Sequence, residues 1–226
     1  MTGAPTSGHT ARYSPANVES APDGRLFSRV VARNSPPVIA ALAPWLASAS
    51  GTALEIGSGT GQHAANFALA IPRLAWQASD PDAGHRASAA AWAAHLGLSL
   101  PAPLDLDAAA DWAAAPEVTA LGPLAAVIAM NVIHIAPVAV LHGILAGAGK
   151  ALAPGGLLIL YGPMTEPGVQ TGPGNAAFDA NLRAENADWG LRDTAEIREK
   201  AAPHGLDFAA LIAMPANNRL LILRRA

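Results

Sequence analysis

The chain has 226 residues, 51% of them hydrophobic, a formal net charge of −3 and no cysteine. That length suits one α/β domain with a substantial core. The charge balance offers no footprint for duplex nucleic acid, and the missing cysteines exclude disulfides, thiolate metal sites and a cysteine nucleophile.

The first twenty residues are polar and lack the apolar stretch of a secretory signal. The longest apolar tracts are broken by His134, Pro137, His142 and Pro154, too early for a membrane span. The expectation is a soluble, cytoplasmic protein. Residues 1–28, rich in Ser, Pro, Gly and Ala without a period, read as an N-terminal arm or cap, disordered or draped over a domain at 29–226. Ser35-Pro36-Pro37 has the form of a cap followed by Pro in the first turn, and predicts a helix to about Ala47. Strands are predicted at 53–56, 74–79, 103–106, 124–130 and 157–161, with helices over 61–71, 83–97, 107–115 and 137–152. Such alternation argues for a parallel sheet with helices on both faces.

Residues 162–192 are long for a connection and loaded with Gly, Pro, Asn and Asp, which predicts a lid insertion with a short helix near 176–185. Asp193-Thr-Ala-Glu196 has the spacing of a capping box. Two apolar runs, 206–214 and 219–223, are joined by Pro215-Ala-Asn-Asn218, whose Asn pair tolerates φ > 0. That predicts a hairpin, and so one antiparallel strand.

The most informative segment is Ala53-Leu-Glu-Ile-Gly-Ser-Gly-Thr-Gly-Gln-His63. Glycines at 57, 59 and 61 let the backbone turn sharply and lie against a ligand. A tight structural turn is the plain alternative. A dinucleotide fingerprint counted from Gly57 needs Gly at 62, where this chain has Gln62. Instead Glu55 stands two residues before the first Gly, the pattern of S-adenosylmethionine (SAM) binders, where an acid supplies negative potential near a cationic amino group and sulfonium. Asp80, roughly 20 residues on at the end of the second strand, suits ribose hydroxyls, with Asp82 as a helix cap. Asp105 ends the third predicted strand where it can accept from an adenine amino group, beside Leu106, and Asp107 is the better cap there.

With these residues laid out, the chain resembles the class I SAM-dependent methyltransferases, and more narrowly the uncharacterised family that includes methyltransferase-like 26. The matching segments include Val31-Ala-Arg-Asn34, Leu54 to His63, Trp76 to Asp80, Asn131 to Ile135, Leu152 to Pro163, Asp188 to Asp193 and Met214 to Asn218. The resemblance implies a Rossmann-like α/β fold, a seven-stranded, mostly parallel sheet with an antiparallel C-terminal strand, and SAM as cofactor. At the N-terminus the chain departs from the family: Ser14-Pro-Ala16 is separated from Arg33-Asn34 by a longer segment.

Methyl transfer is an in-line displacement in which alignment supplies about 7–11 kcal/mol. A base is needed only for an acceptor that arrives protonated. Asn131 and His134 follow the fourth strand, where the methionine end of SAM is expected. Asn131 suits the amino group; His134 reads as a general base or as a packing histidine between Ile133 and Ile135. Tyr161 ends the fifth strand and lines the acceptor pocket or packs in the core. His63 reads as a cofactor-side or substrate-side residue. The Arg33 fork, with Asn34, fits the methionine carboxylate, a surface ion pair being the alternative. Asn175, Phe178, Arg183, Trp189 and Arg192 are the lid residues, some touching acceptor and most holding the loop. Seven histidines without His-x-x-x-His spacing suggest no metal site. The expected partner is a small-molecule acceptor of unidentified class. The competing functions are SAM binding without turnover, SAM use in another displacement such as cyclisation, and an NAD enzyme.

Overall fold

A computed structural model describes residues 18–170 and 172–226. Ser14-Pro-Ala16 and the first part of the expected arm lie outside them. The rest of that arm is ordered secondary structure: β1 (Val18–Ser20) and β2 (Leu26–Ser28) form an antiparallel hairpin. It leads into α1 (Arg29–Leu46), which starts six residues before the predicted cap. Ser35 is not a cap but an interior, buried residue, and Pro36 and Pro37 sit inside the helix. Each lacks the N–H that an interior helical residue donates, and each ring crowds the carbonyl four residues back. The Ser35 hydroxyl is used sideways, accepting from Asn66 Nδ2 at 3.1 Å and meeting His63 Nδ1 at 3.1 Å.

The remaining elements are β3 (Gly51–Ile56), α2 (Gln62–Ala70), β4 (Leu74–Ser79), α3 (Ala83–His95), α4 (Pro116–Thr119), β5 (Leu124–Met130), α5 (Val138–Ala151), β6 (Leu152–Thr165), α6 (Pro173–Glu185), β7 (Arg192–Asp193), α7 (Thr194–Ala201), β8 (Leu206–Met214) and β9 (Asn218–Arg225). The main sheet runs β4-β3-β5-β6-β9-β8, with β7 added to the far end of β6. β3, β4, β5 and β6 are parallel, and β9 is antiparallel to both neighbours, as the hairpin predicted. The hairpin's positive-φ residues are Ala216 and Asn217, not the Asn pair.

Two predicted elements fail. The strand at 103–106 shrinks to one bridge, Leu104 with Ser79, because Pro101 and Pro103 on this edge have no N–H to give. The helix over 107–115 is replaced by a turn and a 3₁₀ turn at Trp112–Ala114. Trp112 lies on the glycine face of α5 and donates from Nε1 to Gly143 O at 2.9 Å; a Cβ at Gly143 or Gly147 would collide with this segment. That anchor overrides the helix propensity of the alanines.

Alternation along the strands fills two cores, one on each face of the sheet. Leu54, Ile56, Val127, Ala129, Leu158 and Leu160 face α5 and α7. Ala53, Ala126, Ile128, Ile159 and Tyr161 face α1 and α2. By the same period Glu55 points into the α1–α2 side, where its neighbours on the other strands are apolar.

Candidate functional site

The chain passes from β3 to β4 on one side and returns to β5 on the other, so the strand order reverses between β3 and β5. Open α/β sheets bind ligands outside the strand ends at such a point. Gly57 leaves β3 there and Asn131 leaves β5. The loop glycines have φ of 67°, 54° and 79° at 57, 59 and 61, a region that L side chains avoid. A Cβ on Gly57 would lie 2.8 Å from Val132 Cγ2, and one on Gly61 would strike Ala89 of α3. Asn131 also has positive φ, 58°, with its N–H donated to Tyr161 O at 2.8 Å. Backbone strain of this kind collects at functional sites.

Two cavities meet at Gly57, Met130, Asn131 and Ile135. The smaller, about 50 Å³, is walled by Asp80, His85, Leu106, Asp107, Ala108 and Val140, among others. The larger, about 430 Å³, reaches from the glycine loop to the lid segment. Of the predicted site residues, Arg33, Asn34, Glu55, Gly57, His63, Asn131 and His134 line the larger cavity, and Gly57, Asp80, Leu106 and Asn131 the smaller. Gly59 and Gly61 shape the loop without lining either. Asp105 lines neither: its side chain is 69% exposed and pairs with Arg86 at 3.0 Å. Tyr161 is buried beneath the larger cavity on the α1–α2 side, and burial pushes its hydroxyl pKa up.

Asp80 is more occupied than its sequence position suggests. Its Oδ2 accepts the Gly59 N–H at 2.9 Å, and its Oδ1 accepts the Asp82 N–H at 2.9 Å and meets His85 Nδ1 at 3.1 Å. Asp82 caps α3 as predicted, accepting the His85 N–H at 2.9 Å. Burial works against the His85 charge, but the hydrogen bond and charge of Asp80 together with the Asp82 charge outweigh it, and the His85 pKa rises.

The larger cavity is the reverse case. Glu55 is 1% exposed and neither carboxylate oxygen has a hydrogen-bond partner. Burial raises its pKa to about 8; the nearby Ser58 hydroxyl and Ala64 N–H temper the rise, and the Asp80 charge adds to it. His63 stacks on Phe67 with ring centres 5.7 Å apart and leaves Nε2 unpartnered; burial lowers it to about 4. His134 Nδ1 is also unpartnered, and burial together with the Arg192 charge lowers this imidazole to about 4. It packs against Gly162, where a Cβ would come within 3.1 Å of Nδ1, and edge-on to Phe178 at 5.7 Å. Trp189 Nε1 is a further buried donor without a partner. Among the described residues, the buried unpartnered side-chain polar atoms all belong to residues lining this cavity, except the Tyr161 hydroxyl beneath it.

The sequence offers a cap before residue 29, but neither its hairpin form nor its partners. The β1–β2 hairpin is tied to the glycine loop: Ser28 N–H donates to Gln62 Oε1 at 2.6 Å and Leu26 N–H to Ser88 Oγ at 2.8 Å, while Ser88 donates to Thr60 O at 2.7 Å. Ser28, Val30 and Val31 thereby line the larger cavity. No local signal marks these partners, which lie 28–62 residues apart. Of the lid residues, Asn175, Phe178 and Trp189 line the cavity, whereas Arg183 pairs with Asp179 and Arg192 binds carbonyls. Among the described residues no cluster of His, Asp and Glu is placed to hold a metal ion, and no helix is long and apolar enough to cross a membrane.

This strand order, with its glycine loop at the switch point, is the Rossmann-like fold of the class I SAM-dependent methyltransferases. Solved structures match it across most of the chain. An O-methyltransferase family protein from Burkholderia thailandensis has a TM-score of 0.72 at 18% identity, covering 87% of this chain and 57% of its own. The mitomycin 7-O-methyltransferase MmcR has 0.70 at 18% identity, over 88% and 55%. Magnesium protoporphyrin IX methyltransferase from Synechocystis, solved with bound SAH, has 0.61 at 15% identity, over 84% and 82%. The chain thus spans a little over half the length of the first two. The protein itself belongs to the family described as protein of unknown function DUF938, matched over residues 25–225.

Proposed function

We propose that the protein is a SAM-dependent methyltransferase acting on a small-molecule acceptor. The observation that carries this reading is Glu55, a buried carboxyl without a partner on the wall of a cavity beside a glycine loop. An unpaired buried acid is costly unless a donor or cation reaches it, and the ammonium and sulfonium of SAM are such groups. The other residues fit as well. Arg33, which makes no ion pair among the described residues, and Asn34 suit the methionine carboxylate; Asn131 faces both cavities at their junction; Leu106, Ala108 and Val140 give the smaller cavity apolar walls for an adenine. Asp80 and His85 stand at the ribose position, Asp80 with one accepting site left beyond its three partners.

The bound cofactor would supply an activated methyl group. The chain's task is to align the acceptor and exclude water. The Val30, Val31 and Phe178 side chains and the Trp189 indole give the larger cavity apolar lining for that task. His134, neutral above about pH 4, accepts a hydrogen bond from an acceptor hydroxyl and orients it. Two of the structural neighbours are named for O-methylation, which supports an oxygen acceptor.

Calorimetry with SAM and S-adenosylhomocysteine tests the binding half, and the expected result is binding of both. NAD binding without SAM binding would overturn it. Incubation with SAM and fractionated metabolite extract tests turnover through S-adenosylhomocysteine formation, and methylthioadenosine would instead indicate cyclisation. One observation favours a second reading, SAM binding without turnover: His63 and His134 are both held near 4 and are weak bases at neutral pH. SAM binding with no S-adenosylhomocysteine from any fraction is the result that reading requires.

A further inference from the structure

The loop that carries His134 is fastened to the lid segment on both sides of the imidazole. Arg192, at the start of β7, donates from Nε to Ile133 O at 3.1 Å and from Nη2 to Ala136 O at 2.9 Å and Asp188 O at 2.6 Å. Between those contacts the Gly190 N–H donates to His134 O at 3.0 Å. The lid end of this clasp is itself pinned, since Asp179 of α6 accepts the Leu191 N–H at 2.7 Å and pairs with Arg183. A planar fork matches several fixed carbonyls at once, which a lysine cannot do.

The same guanidinium makes no salt bridge with a carboxylate among the described residues. Its polar contacts are neutral carbonyls, so its charge stays uncompensated at close range. Asp179, Asp188 and Glu196 temper it from a distance, and Arg183 opposes it. Around the His134 ring stand Asn131 and Gly162, the Phe178 edge and Trp189; Glu185 is an exposed carboxylate on the same cavity wall. Arg192 is the charge whose field acts on the imidazole, in the same sense as burial.

We propose that Arg192 is the positioning residue for His134: one guanidinium holds the backbone on both sides of the imidazole and ties that loop to the lid. Lid anchoring and His134 placement are then a single device, and the guanidinium charge adds to burial in keeping the imidazole neutral. The catalytic meaning of this clasp rests on the function proposed above, but the clasp is testable without any acceptor.

The test uses the full chain labelled with ¹⁵N, with histidine ring nitrogens followed from pH 3.5 to 8 and His134 assigned through His134→Gln. In the wild type His134 is expected to titrate at about 4, held down first by burial and then by the Arg192 charge. Arg192→Gln removes the cation and is expected to raise that value by roughly half a unit to one unit, still below the free imidazole because burial remains. It should also speed hydrogen exchange of the Gly190 amide at least tenfold. Arg192→Lys keeps the charge and loses the fork, so exchange should quicken while the titration stays low. Arg192→Gln with both readouts unchanged would overturn the proposal, as would Arg192→Lys moving the titration as far as Gln does. Should Arg192→Gln fail to fold, the Lys variant carries the test: Gly190 exchange as slow as in the wild type overturns the positioning, and a wild-type His134 titration near 6.5 overturns the electrostatic contribution. Calorimetry with S-adenosylhomocysteine runs in parallel: failure of the wild type to bind it defeats the proposed function and leaves the clasp standing.

Discussion

The two cavities differ in how finished they are. In the smaller one the acid is satisfied: Asp80 holds the Gly59 and Asp82 amides and His85. In the larger one Glu55, His63, His134 and Trp189 are buried with polar atoms unmatched. Folded proteins pair nearly all such atoms, so a cluster of exceptions marks where a partner from outside is expected. In the first region the acid is part of the scaffold that shapes the glycine loop. The second is built incomplete.

Substitutions at the two acids should separate these roles most strongly. Glu55→Gln keeps shape and removes charge, and is expected to weaken SAM binding by about a hundredfold, the scale of a lost charged hydrogen bond. Its melting temperature should hold or rise at pH 8, because the wild type must ionise a buried carboxyl there. Asp80→Ala is expected to weaken SAM by more than tenfold and also to lower the melting temperature by several degrees, since it frees the loop amides. Equal melting temperatures for wild type and Asp80→Ala would erase the contrast between scaffold and site. His134→Ala should leave SAM affinity within about twofold and lower turnover several-fold, a smaller effect than a strong general base provides. Unchanged turnover would make it a packing residue.

The pH dependence of stability sharpens the same contrast. His63 and His134 are neutral in the fold down to about 4 and titrate near 6.5 when unfolded, so they lose stability as pH falls from 6.5 to 4. Glu55 runs the other way: protonated in the fold up to about 8 but ionised when unfolded above about 4.5, it loses stability as pH rises through that window. Two imidazoles outweigh one carboxyl below 6.5, so the ligand-free protein should be most stable near pH 6.5. Thermal melts across pH check this, and Glu55→Gln should flatten the alkaline side. A wild-type maximum at pH 8 or above would mean that Glu55 is paired in solution.

Much of the site is legible in the chain because its signals are local. Three alternate glycines demand positive φ, Glu55 sits at fixed spacing before them, and the Asn131–His134 segment follows a strand that ends at the same edge. Asp105 and Tyr161 were harder. Asp105 belongs to a strand that prolines reduce to one bridge, and it turns outward to Arg86. Tyr161 follows the strand period into the α1–α2 core rather than onto the cavity wall. The 107–115 segment misled because its alanines favour a helix while Trp112 binds the glycine face of a helix 31 residues away.

By itself the sequence determined most of the strand–helix alternation, the antiparallel ending, the glycine turn and the acid beside it, since each depends on neighbours within one or two turns of chain. Only the tertiary structure decided which polar groups are matched. Asp80 meets the glycine loop 21 residues away, Arg192 reaches the carbonyls around His134 from 56–59 residues on, and the N-terminal hairpin closes over Gln62. Whether a buried charge finds a partner is set by long-range packing, and no local pattern records it.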